Sequence, residues 1–214
     1  MYIRYMFQPA VITALILFST SSFGQAHEAF LRAVEEGDAR VVSEFLGKGM
    51  DPNTSNQGGH TALMIAARLG HESLVALLLD RKADLMRRSP QGDSALMMAS
   101  LQGNLGAARI LVDRGAPVKQ EGWAPLHYAA FEGRGQMVRY LLDKGADKDA
   151  LAPNGYTALM LAARNGHTEA ARILLQDDAD FRVASADGAT ALRIAQARND
   201  MVLVELLRRA GAVD

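Results

Sequence analysis

A spacing of 33 residues governs this sequence. Gly59, Gly92, Gly122, Gly155 and Gly188 succeed one another at 33, 30, 33 and 33 residues. A second series, Gly37, Gly70, Gly103, Gly133 and Gly166, runs in the same phase until Asn199 ends it. Leu63, Leu96, Leu126, Leu159 and Leu192 keep step, as do Ala66, Ala99, Ala129, Ala162 and Ala195, and Leu78, Leu111, Leu141, Leu174 and Leu207. Self-similarity at such a period specifies a stack of small units, none able to bury its apolar face alone.

Each unit reads as two short helices and a turn. The segment TALMIAAR at 61–68 is amphipathic, with Leu and Ala on the buried side. Alanine serves where neighbouring helices approach closely. Gly70 then ends the helix, because a left-handed cap is cheap only without a Cβ. The second helix, ESLVALLLDR at 72–81, carries more apolar residues than one isolated face can use. They must bury against the next unit. After it, Gln91-Gly92, Glu121-Gly122, Asn154-Gly155 and Asp187-Gly188 supply tight turns.

The stretches GHTALMIAARLGH, GDSALMMASLQGN, GWAPLHYAAFEGR and GYTALMLAARNGH resemble the ankyrin repeat, whose pattern is G-x-T-P-L-H-x-A-A-x-x-G-H. The endings KADLMR, GAPVKQ, GADKDA and DADFRV resemble that family's GADVNA. The resemblance covers about residues 27–214 and implies an all-α repeat solenoid of six units: stacked helix pairs with β-hairpin fingers projecting from them. Residues 27–56 are expected to form an N-terminal cap, 57–187 four internal repeats, and 188–214 a C-terminal cap. Arg208 stands where other units have Leu79, Val112, Leu142 and Leu175, as suits an end with no neighbour to cover it. The motif's Pro survives only at Pro125 and its His only at His127. Met64, Met97 and Met160 take the His position, so its hydrogen bonds are expected to be lost in three repeats.

Residues 1–26 read differently from the rest. Arg4 is their only charge, PAVITALILF fills 9–18, and Gly24 and Ala26 occupy the −3 and −1 positions of a cleavage site. This is the pattern of a secretory signal peptide, and the apolar run is too short to span a membrane. Cleavage would leave 188 residues with 22 basic and 24 acidic side chains. A periplasmic or secreted location is therefore expected, with no stable membrane insertion after cleavage. Near-balanced charge argues against a nucleic-acid partner. The absence of Cys removes disulfides, thiolate metal sites and cysteine nucleophiles together.

Motifs of catalysis are missing. There is no phosphate loop, no G-x-S-x-G and no H-E-x-x-H, so an enzyme is not expected and neither is a cofactor or metal. Cleavage after Ala26 would give His27 a free amine able to chelate copper with its imidazole, but no second His is identified nearby. Asp177, Asp178 and Asp180 lack the spacing of a calcium loop. Met64, Met97, Met98 and Met160 fall on equivalent helix positions, which reads first as adaptable core filling. A haem- or metal-binding protein using Met and His is the alternative of another class.

The expected role is to bind another protein, as a monomer, through a concave face of fingers and first helices. The finger position gives His60, Asp93, Trp123 and Tyr156, and the exposed first-helix position gives Arg68, Leu101, Phe131 and Arg164. Tyr128 joins them because four of the eight aromatics after residue 26 fall in its repeat. The connection 116–122 is three residues shorter than its counterparts, which predicts a clipped finger and a notch beside Trp123. Within the binding class the scaffold could neutralise a toxin delivered to its compartment, assist an oxidant-defence enzyme such as catalase, or act on a host.

Overall fold

The computed structural model describes residues 24–213, and the expected leader therefore lies outside the described residues except for its last three. Residues 24–36 are helical (α1). Eleven further helices follow: α2 Ala39–Gly47, α3 Ala62–Leu69, α4 Glu72–Asp80, α5 Ala95–Gln102, α6 Leu105–Asp113, α7 Pro125–Phe131, α8 Gly135–Asp143, α9 Ala158–Asn165, α10 Thr168–Gln176, α11 Ala191–Ala197 and α12 Met201–Arg209. They form six consecutive pairs. First helices pack on first helices (α3, α5, α7, α9, α11) and second on second (α2, α4, α6, α8, α10, α12). The first helices pack on one another more closely, which bends the stack with them on its inner side.

Local sequence explains each element. Thr61, Ser94, Thr157 and Thr190 are N-caps whose hydroxyls accept from the backbone N–H three residues on. In α7 the cap is Ala124, which has no such oxygen. There His127 Nδ1 accepts the Ala124 N–H at 3.0 Å, and Pro125 opens the helix where a missing N–H costs nothing. Gly70 closes α3 at φ +76°, and Asn199 replaces glycine in the same series at φ +56°. The aligned Ala66, Ala99, Ala129, Ala162 and Ala195 are fully buried, as are Leu78, Leu111, Leu141, Leu174 and Leu207. Burying each such leucine stabilises by roughly 1.5–3 kcal/mol, and the core is continuous from end to end.

The second helices are joined to the preceding unit by side chains at one repeated position. His71 Nε2 lies 3.0 Å from the Glu35 carbonyl. Asn104 Nδ2 donates to the carbonyls of Ala67 and Arg68 at 3.0 and 2.7 Å, and Arg134 Nε to that of Leu101 at 3.1 Å. These carbonyls lie at the ends of first helices, where intrahelical partners run out; that of Ala67 also accepts from the Gly70 N–H at 3.3 Å. His71, Asn104 and Arg134 all stand at the N-cap of their own helices without capping them, and Arg134 has no acceptor with which to do so.

Two expectations need correction. Among the described residues the fingers contain no β-strands, only an isolated bridge between Ser55 and Thr61. All but the finger before α7 are closed instead by a tight turn and a backbone bond, such as Ser89 N to Asp93 O at 2.9 Å and Ala152 N to Tyr156 O at 2.9 Å. Segments so short have no room for a ladder. The His-position hydrogen bond is not lost in every Met repeat, because Met97 Sδ accepts the Ser94 N–H at 3.1 Å. Arg88 Nη1 and Gln120 Nε2 also approach that sulfur, at 3.8 and 3.9 Å. Met64, Met97, Met98 and Met160 are all buried, so the methionine row is core and offers no ligand stripe.

Candidate functional site

The shortened connection lies between α6 and α7. Where the other fingers close with a backbone bond, here the Gln120 amide donates to the Trp123 carbonyl. Arg88, from the preceding finger, donates to Gln120 Oε1 at 2.7 Å and to the Gly92 carbonyl at 3.1 Å. Gln120 thus lies across the place where three residues are missing. The side chain of a loop residue crosses the place where a notch was expected beside Trp123.

Trp123 is held from its other side by two rings. Tyr128 meets it edge-on at 5.8 Å between centroids, and His127 at 5.9 Å. The Tyr128 hydroxyl donates to Asp93 Oδ1 on the preceding finger. Asp93 Oδ2 takes a second hydrogen bond from Ser89 Oγ at 3.3 Å. Asp93, expected as an exposed contact residue, is therefore buried at 9% exposure and spent inside the protein. Burial pushes the Tyr128 phenol well above its usual range, and the Asp93 bond and charge push it the same way. Burial lowers the His127 pKa, against smaller opposing effects from the Ala150 carbonyl and Asp147. His127 is the neutral acceptor that the Ala124 N–H requires, with Nε2 facing the Ala150 carbonyl at 2.9 Å.

The remaining expected residues spread along the same row. Phe131 is 39% exposed at the end of α7, and its carbonyl accepts from Asn165 Nδ2 at 2.7 Å. Tyr156 is half-buried on the next finger, with the exposed Arg164 guanidinium stacked over its ring at 5.7 Å. Arg68 is exposed at the end of α3, and Leu101 is half-buried. His60 is half-buried at a finger turn whose backbone N–H bonds Asn56 Oδ1. The structure brings Trp123, Tyr128 and Asp93 into one cluster and Tyr156 and Arg164 into a second; Arg68 and His60 join neither.

Sequence reasoning missed Gln120, Leu69 and Leu151. Leu151 is 51% exposed and Leu69 43%, both large apolar side chains facing water. Leu151 and Arg88 share one register position, immediately before the first bonded residue of a finger. Reading that position across the repeats would have found Leu151.

Two groups weighed as metal ligands are committed to structure. His27 Nε2 meets the Ser55 carbonyl at 3.0 Å. Asp180 is gripped by Arg182 at 2.8 and 3.2 Å, which lowers its pKa, and its backbone N–H bonds Asp149 at 2.7 Å. Among the described residues no three His, Cys, Asp or Glu side chains are placed to hold a metal ion, and no helix is long and apolar enough to cross a membrane.

A family model described as "Ankyrin repeats (3 copies)" matches four overlapping stretches, residues 8–89, 30–121, 83–152 and 144–213. No curated protein matches the sequence.

Proposed function

The chain belongs to the ankyrin-repeat family, and from that premise we propose that it is an exported scaffold binding a partner protein through its fingers and first helices. The family points to a binding role and away from catalysis. Export rests on the sequence pattern of residues 1–26.

The observation that carries the choice of surface is the bracing of Trp123. An aromatic side chain fixed by two rings, and by the bonds of Arg88, Gln120 and Asp93 around it, loses little freedom when a partner covers it. Aromatic and Arg anchors dominate interface energetics. Phe131, Leu151 and the Tyr156–Arg164 pair extend the anchor along the row.

The test is affinity capture from the exported fraction of the source cell, with wild type beside a Trp123→Ala/Phe131→Ala double mutant of matched circular dichroism. A specific protein retained by wild type and lost by the mutant is the expected outcome. Equal retention by both would reject this surface. Mass spectrometry of the purified chain should find His27 as its first residue; an intact Met1 would reject export by cleavage.

A further inference from the structure

The near-zero net charge of the chain conceals an uneven distribution. At the outer ends of the first helices, Arg68, Arg164 and Arg198 are exposed. None takes part in an ion pair among the described residues. The acidic side chains of the same face are mostly occupied. Asp93 is bound to Tyr128 and Ser89, Asp187 to Ser185 Oγ at less than ordinary length, and Glu132 stands 3.9 Å from Arg134. Glu121 is exposed and uncommitted. In the first unit the sign reverses, with Glu35 and Glu36 exposed at the positions of Arg68 and Leu69. The uncommitted charge of this face from the second unit onward is therefore cationic.

Arg164 is the best prepared of these cations. Its guanidinium carbon lies over the Tyr156 ring, 5.7 Å from the centroid, so a cation–π contact already holds the side chain on this row. A planar guanidinium held this way presents its edge N–H groups as a fork that matches a carboxylate. Phe131 is exposed one repeat before it, and Leu151 on the finger that leads to it.

We infer that the partner presents an acidic segment to this face, an Asp or Glu beside an apolar or aromatic side chain, and that Arg164 receives the carboxylate. This rests on the reading of the finger-and-first-helix row as the binding face. Charge complementarity excludes a basic segment there, and the apolar neighbours call for more than a bare polyanion.

A library of short random peptides selected on the full-length protein tests both statements separately. Peptides enriched in Asp or Glu next to Phe, Leu or Tyr are expected. Arg164→Gln should weaken them roughly tenfold or more, as loss of a charge-assisted fork requires. Replacing the peptide's acid by its amide should cost wild type the same factor and cost Arg164→Gln nothing further. Peptides lost on Trp123→Ala/Phe131→Ala, yet without acidic enrichment or indifferent to Arg164→Gln, would overturn this inference and leave the binding face standing. Peptides that bind the Trp123→Ala/Phe131→Ala protein unchanged, or no binder at all, would overturn the binding face and the inference with it.

Discussion

Replacing Tyr128 by Phe deletes one oxygen and leaves the rings around Trp123 in place. The oxygen is a donor to Asp93, a carboxylate almost withdrawn from water. A hydrogen bond to a charged group contributes roughly 1.5–3 kcal/mol net, and a buried charge that loses a donor is expensive. Ser89 still donates to the second oxygen, at the long distance of 3.3 Å, so the carboxylate is not stripped bare. The expected loss is about 2 kcal/mol. In a domain of this size each kcal/mol lowers Tm by roughly 2–4 °C, so the melt should fall by about 4–8 °C. Urea titrations of wild type, Tyr128→Phe, Asp93→Asn and the double mutant should give a coupling of at least about 1 kcal/mol between the two positions. The phenol adds a pH signature. Its folded pKa is raised, so the stability it supplies is complete below the ordinary value of 10 and drains away as pH rises through the folded one. Wild type should therefore lose stability above pH 10 more steeply than Tyr128→Phe. A loss under about 0.5 kcal/mol, or two single mutants that simply add, would show that Asp93 and Tyr128 do not hold each other.

Two further outcomes follow from the same region. His127 has its pKa lowered by burial, so its contribution is complete above the unfolded value of 6.5 and is lost as pH falls through the folded one. Between pH 7.5 and 5, wild type should lose more stability than His127→Met, by at most about 1.4 kcal/mol per pH unit; equal slopes in urea melts would contradict the burial argument. Gly133 has φ +66°, and a Cβ there would meet His167 Nδ1 at 2.5 Å, whereas one on Gly135 would meet Ile173 Cδ1 at 3.2 Å and Glu169 Cγ at 3.4 Å, both on flexible side chains. Gly133→Ala should cost about 1–2 kcal/mol or more, while Gly135→Ala should be near neutral because helix propensity gained offsets the tight contact; the reverse order in thermal melts would refute this.

Period alone made much of the fold legible. A glycine or Asn199 after each first helix, a capping hydroxyl before four of the first helices and an alanine row between helices are local requirements, and local requirements repeat with the unit. What the period could not convey is where a repeated position departs from its role. Asp93 stands at the register position of Trp123 and Tyr156, and register alone made it a surface residue. It is buried because a tyrosine one repeat later reaches back to it, across 35 residues of sequence. Met97 keeps a hydrogen bond that its neighbours' sulfurs do not show, although its donor, the Ser94 backbone N–H, has counterparts at Thr61 and Thr157. Such pairings depend on rotamers, which no spacing fixes.

The three-residue deletion and the aromatic residues beside it have a common physical account. A shorter finger forgoes the backbone bond that closes its counterparts, and an unclosed finger would leave Trp123 on a loose turn. Gln120 replaces that bond, Arg88 fixes Gln120, and Tyr128 ties the other side of the tryptophan to Asp93. All the replacements come from the third and fourth units and converge on one side chain. Loop deletions are tolerated cheaply in general and need no such bracing. A deletion compensated by three separate side chains, each acting on the position of one half-exposed tryptophan, holds Trp123 as rigidly as the proposed binding face requires of its anchor.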